Sequence, residues 1–164
     1  MMAADLTLDS HSVEETIQLG AALGRASLPN DVIALAGPLG AGKTHFVKGM
    51  AEGLGIPGRT KVTSPTFVLE QEYAGRLVLR HLDAYRLSGP EELWDIGIEE
   101  MCKAGGVVVV EWADRTAEAM PDDCLWVRLE PVGAEHRRLR IAATGPQSAN
   151  LLERLRKTVD AQRQ

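Results

Sequence analysis

Apolar positions along this chain fall into helical and strand patterns that alternate. Ser12 and Glu15 form an S-x-x-E capping box, whose side chains satisfy backbone N–H groups at a helix start. Val13, Ile17, Ala21 and Gly24 then share one face of a helix that ends near Leu28-Pro29-Asn30. Val32–Ala36 is a continuous apolar run, as expected of a strand buried on both faces. The glycine-rich turn Gly37–Thr44 leads into a helix from about Lys43 to Leu54, ended by Gly53 and Gly55 with Pro57-Gly58 as a loop. Thr66–Tyr73 and Arg76–Leu82 flank Ala74-Gly75 and predict a hairpin. Ser88-Gly89-Pro90-Glu91 is a second capping box with proline in the first turn, predicting a helix to about Lys103. Gly105-Gly106 breaks the chain before Val107–Val110, four β-branched residues in succession. Strands over Leu125–Leu129 and Leu139–Ala143, joined by a Pro/Gly turn, precede a last helix from Asn150 to about Ala161. The alternation predicts an α/β protein. No internal repeat, linker or low-complexity stretch divides it, so one domain over residues 1–164 is expected.

Composition narrows the functional classes. A domain of 164 residues buries enough surface to need no disulfide or structural metal. The 18 Lys+Arg against 23 Asp+Glu leave a net charge of −5, which argues against a general DNA or RNA backbone binder. Aromatic residues make up 4% of the chain, so aliphatic packing must supply the core and stacking platforms for single strands are not expected. No apolar run approaches a membrane span, and Met1–Asp9 lacks the basic, apolar pattern of an export signal. Cys102 and Cys124 have no metal-ligand spacing and read as partly buried free thiols in a reducing cytoplasm.

Gly37-Pro38-Leu39-Gly40-Ala41-Gly42-Lys43-Thr44 matches G-x-x-x-x-G-K-[ST] in full. Glycines let the backbone curl so that successive N–H groups point at phosphate oxygens, and the positive end of the following helix adds its field. Lys43 is placed to reach the β- and γ-phosphates, and the Thr44 hydroxyl to ligate Mg²⁺. An apolar strand enters this loop and a helix leaves it, the context a P-loop requires. A nucleoside triphosphate is the expected ligand.

Such a site needs a carboxylate near the metal, usually at the end of a neighbouring strand. Val107–Val110 ends in Glu111, and Leu77–Leu82 ends in Asp83. If both strands run parallel to Val32–Ala36, both acids emerge on the P-loop side of the sheet. Glu111 has the longer reach, suiting an outer metal contact or the orientation of an attacking water; Asp83 suits a shorter link to Mg²⁺. The residue types leave those two roles open. Thr66, in Lys61–Phe67, reads either as a sensor of the γ-phosphate and metal or as part of a proline-ordered turn opening a strand.

Together GPLGAGKT, SPTF at Ser64–Phe67, HLDAYRL at His81–Leu87, PEEL at Pro90–Leu93 and VEWADR at Val110–Arg115 resemble the bacterial TsaE family, in its order and spacing, over roughly Ser12 to Leu129. The resemblance implies a three-layer P-loop NTPase-like fold with a mixed, largely parallel central sheet. It also implies a small cytoplasmic ATPase that supports threonylcarbamoyl modification of adenosine 37 in tRNAs reading codons that begin with A. Implied partners are TsaD and TsaB homologues, with tRNA met only through them. Gly37–Thr44 would bind ATP or ADP, and Thr44 would hold Mg²⁺. Asp83 and Glu111 match the family's acidic site residues, Thr66 the threonine of SPTF, and Trp112 a tryptophan placed near the nucleotide. His45 departs from the family, where a threonine or small polar residue is common, but it lies outside the phosphate ligands.

Two rivals share the P-loop. A small-molecule kinase would need a basic lid, for which His136-Arg137-Arg138 is the best candidate, although it reads as part of a terminal strand. A nucleotide-gated binding module would leave Glu111 with a structural role only.

Overall fold

The computed structural model describes residues 5–58, 60–63 and 70–163. Thr66 and the start of the first predicted hairpin strand lie outside them. Within the described residues the strands are β1 (Asp5–Ser10), β2 (Val32–Ala36), β3 (Glu70–Tyr73), β4 (Leu79–Asp83), β5 (Val107–Glu111), β6 (Leu125–Pro131) and β7 (Arg137–Ala143). They form one sheet in the order β1-β7-β6-β2-β5-β4-β3. Pairs β6/β2, β2/β5 and β5/β4 are parallel, while β1/β7, β7/β6 and β4/β3 are antiparallel. Hence β1, β2, β4, β5 and β6 point one way and the sheet is mixed but largely parallel. The apolar runs lie at its centre: every residue of β2 and β5 is buried, because helices cover both faces there.

The helices are α1 (Val13–Ala26), α2 (Lys43–Gly53), α3 (Pro90–Asp95), α4 (Ile98–Met101) and α5 (Pro146–Gln162). One core gathers Leu23, Phe46, Met50 and Leu155 from α1, α2 and α5 against Ile33, Val109 and Val127 of the sheet. The opposite core packs Leu93 and Ile98 of α3 and α4, with the 3-10 turn Ala113–Ala119, against Ala34, Val108 and Val110. Three layers result, α/β/α.

Helices α1 and α2 meet backbone to backbone. A Cβ on Gly20 would sit 2.1 Å from the Phe46 carbonyl oxygen, and one on Gly24 2.3 Å from that of Met50. From the other side, Cβ atoms on Gly49 and Gly53 would sit 2.0 Å and 2.1 Å from the carbonyl oxygens of Ile17 and Ala21. Four glycines at i, i+4 spacing therefore hold the helices closer than any side chain permits. Gly53 is the last residue of α2, and the chain turns at Leu54-Gly55. This contact fixes the first turn of α1 beside the first turn of α2.

Several predicted boundaries move, each for a physical reason. The Ser12 half of the first predicted box forms, with Ser12 Oγ accepting from Glu15 N at 3.1 Å, while Glu15 Oε2 accepts from His11 N, one residue before the cap, at 2.7 Å. The buried face of α1 is centred on Thr16, Gly20 and Leu23, while Val13 is 41% exposed. The second predicted box does not form: Gly89 rather than Ser88 is the N-cap of α3, and Ser88 N and Oγ both donate to Glu92 Oε1, at 3.1 Å and 2.5 Å. The single helix predicted from Pro90 to Lys103 is two, split at Gly97 with φ 89°. Helix α5 begins at Pro146, not Asn150, because a distant cap starts it: Asp123 accepts from Gln147 N at 2.8 Å and Ser148 N at 2.9 Å. Strand β1 was not among the predicted elements and pairs with β7 at the sheet edge. Among the described residues, no helix is long and apolar enough to cross a membrane.

Candidate functional site

Because β2, β4 and β5 are parallel, their carboxyl ends lie together. Asp83 and Glu111 are register partners at the ends of β4 and β5, and Leu35, near the end of β2, is the opposite neighbour of Glu111. The P-loop leaves β2 beside these acids. Gly37 adopts φ 148°, and a Cβ there would lie 2.5 Å from the Leu129 carbonyl oxygen, so the loop's first position requires glycine. Gly42, at φ 98°, turns the chain into α2.

Lys43 is nearly buried and folds back on its own loop, donating from Nζ to Gly37 O at 2.7 Å and Pro38 O at 2.9 Å. Burial lowers its pKa, opposed by the negative charges of Glu111, Asp114 and Asp83. The next residue, Thr44, donates from Oγ1 to Glu111 Oε1 at 3.4 Å. The other oxygen of Glu111 lies 2.5 Å from His81 Nε2. Asp83 is also buried, and its Oδ1 accepts from Tyr85 N at 2.9 Å.

Trp112 follows Glu111 in a left-handed conformation, φ 59°, rare for a bulky residue. That turn swings its indole over the loop, with Lys43 Nζ 3.8 Å from the ring centroid. Tyr85 packs against it at 4.9 Å, and the Arg115 guanidinium sits 4.9 Å from the Tyr85 ring.

A cleft of about 570 Å³ unites these groups. Lys43, Thr44, Asp83, Glu111 and Trp112 line one part, with Leu39–Thr44 of the P-loop. Leu39 projects from the loop tip, 80% exposed. Gly37 and Pro38 do not line the cleft; they contribute the carbonyls that hold Lys43. Ser12, the cap of α1, with Val13 and Thr16 of its first turn, Ala134 and Glu135 of the β6–β7 connection, and Arg137 at the start of β7 border it as well.

Some residues that line or back the cleft lay outside the predicted site. Arg137 belongs to β7, as its terminal-strand reading implied, yet its Nη2 donates to Gly40 O at 3.3 Å and ties that hairpin to the P-loop. Tyr85 and Arg115 were quoted in motifs without a role. His81 had a usable signal: strand alternation puts it on the same face of β4 as Asp83.

The metal-binding potential is that of a hard, oxygen-only donor set. Among the described residues no group of three His, Cys, Asp or Glu could hold an ion. Two carboxylates and a hydroxyl beside a phosphate loop suit Mg²⁺, which binds through one or two carboxylates together with substrate phosphates.

The family model for "Threonylcarbamoyl adenosine biosynthesis protein TsaE" matches residues 10–139. The tRNA threonylcarbamoyladenosine biosynthesis protein TsaE of Treponema pallidum is 41% identical over 133 residues, 81% of this chain and 97% of the relative. The protein of that name from Bacillus subtilis is 40% identical over 143 residues, 87% and 88% of the two chains. The crystal structure of B. subtilis YdiB superposes with a TM-score of 0.83 at 34% identity, covering 96% of this chain and 97% of that one. On the span of the family match and on these relatives, the chain belongs to the TsaE family.

Proposed function

We propose that this protein is a Mg²⁺-dependent P-loop ATPase of the cytoplasm that serves threonylcarbamoyl modification of adenosine 37 in tRNAs reading codons that begin with A, acting with TsaD and TsaB homologues. The observation that carries the reading is the convergence of Lys43, Thr44, Asp83 and Glu111 in one cleft at the carboxyl ends of parallel strands. The names of the relatives supply the pathway.

The backbone N–H groups of Leu39–Thr44 would cradle the ATP phosphates, and Lys43 would exchange the carbonyls of Gly37 and Pro38 for them. Thr44, with Asp83 or Glu111, would hold Mg²⁺, and the ion would supply neutralisation of phosphate charge there. Glu111 has the reach to orient an attacking water, and Trp112, packed over Lys43 in the cleft, would lie beside the nucleotide. Thr66 is assigned here only through the family motif. A net charge of −5 leaves tRNA binding to the partners.

The test is ATP turnover by the purified protein, alone and with TsaD and TsaB homologues. Slow hydrolysis that rises on adding the partners supports the reading. Partners that neither bind nor stimulate remove the pathway assignment. Phosphate transfer to a metabolite in place of water makes the protein a kinase.

A further inference from the structure

A histidine fully buried in a strand, hydrogen-bonded to the acid of a nucleotide cleft, calls for explanation. His81 has no exposed surface, and Glu111 is 2% exposed. Its Nε2 lies 2.5 Å from Glu111 Oε2, whereas the contact of Glu111 Oε1 with Thr44 Oγ1, at 3.4 Å, is at the limit of a hydrogen bond. A carboxylate only accepts, so the short bond forms with the proton on Nε2. Among the described residues, Nδ1 has no hydrogen-bond partner. The ring thus spends its polar bonding on Glu111. An apolar residue of similar size would fill the same space in the core without burying an unmatched nitrogen, so packing does not account for a histidine here.

We propose that His81 is the positioning residue for Glu111. Its Nε2–H clamps Oε2, removes the rotamer freedom of a long side chain, and leaves Oε1 as the oxygen presented to Thr44 and the cleft. His81 has no exposed surface and does not line the cleft, so it acts only through the carboxylate. The proposal rests on Glu111 acting in ATP hydrolysis.

The test uses H81M, H81Q and H81N in the full chain with its partners. Methionine keeps volume without a donor. Glutamine places an amide N–H near the position of Nε2, and asparagine places it near that of Nδ1. H81M is expected to lose about 10–100-fold in kcat, as removal of outer ligand supports commonly does, with the KM for ATP nearly unchanged. H81Q recovers most of the loss, and H81N does not, at matched melting temperatures. Parent-like kcat in H81M, or H81Q no better than H81N, overturns the proposal. The Gln/Asn comparison decides the matter if H81M does not fold. A readout independent of hydrolysis is the ¹⁵N spectrum of the histidine rings in metal-free, nucleotide-free protein. A slowly exchanging proton on His81 Nε2, whose shift moves in E111A, is expected; a proton found on Nδ1 alone overturns the proposal. Absence of ATPase activity in the parent would instead sink the functional reading and leave this spectrum to judge the pairing.

Discussion

The Lys43 ammonium sits 3.8 Å from the centroid of the Trp112 ring while donating to the carbonyls of Gly37 and Pro38. The cation that should meet phosphate is thus held under an aromatic cover by its own loop. Under the proposed function, ATP would exchange two neutral carbonyl acceptors for charged phosphate oxygens, which are the stronger partners. The indole is placed for this by the left-handed backbone at Trp112, a conformation worth roughly 1–3 kcal/mol of local strain.

Lys43→Ala removes that cation. Charge-assisted bonds of this kind contribute roughly 1.5–3 kcal/mol, so ATP affinity should fall about 10–150-fold. Titration calorimetry measures the change directly. In a W94F/W126F background, where Trp112 is the remaining tryptophan, its emission should respond to ATP in the parent. Unaltered affinity in the variant would contradict the placement of Lys43.

Glu111→Gln separates binding from hydrolysis. The amide oxygen still accepts from His81, so the buried pair persists and the fold is retained. A group that orients and deprotonates water contributes about 10²–10⁴-fold. ATP turnover with partners should drop by that factor while calorimetric ATP affinity stays close to the parent's. Unchanged turnover would favour a nucleotide-gated module in which Glu111 is structural.

The residues that line the cleft were legible in the chain because local motifs encode them. A P-loop is contiguous, and an acid that ends an apolar strand declares its position once the strands run parallel. What was not legible depends on contacts across the fold. The first turn of α5 is capped by Asp123, more than twenty residues upstream. Arg137 reaches Gly40 only because β7 lies two strands from β2. Gly49 and Gly53 look like helix weaknesses until α1 is laid against them.

Gly49→Ala tests that helix contact. The added methyl would meet the Ile17 carbonyl oxygen at 2.0 Å, a backbone atom that no side-chain rotation relieves. Overpacking of this kind costs about 3 kcal/mol, offset by about 1 kcal/mol of helix propensity gained over glycine. A net loss of about 2 kcal/mol should lower Tm by about 4–8 °C. Differential scanning calorimetry reads the shift. A variant as stable as the parent would mean that α1 and α2 separate freely, and the start of α1 would then not be fixed beside the P-loop.

Cys102 and Cys124 should be inert in the folded protein. Burial pushes their thiols from the ordinary 9.0 up to about 11 and about 12, so near neutral pH neither supplies the thiolate that alkylating agents attack. The linkage has a definite sign. Below pH 9.0 both states keep these protons and the thiols add no pH dependence. From 9.0 to about 12 the unfolded chain releases them first, so stability falls as pH rises through that window. Iodoacetamide followed by mass spectrometry should find no adduct on the native protein at neutral pH and two in denaturant. Cys124, at the foot of β6 and 1% exposed, requires opening of the sheet to react, so its labelling rate measures that opening. A nucleotide that binds only the folded cleft stabilises it by RT ln(1 + [L]/Kd), so ATP at 100 times Kd should slow Cys124 labelling about 100-fold. Rapid native labelling of Cys124, or a rate indifferent to saturating ATP, would break the link between the cleft and the core beneath it.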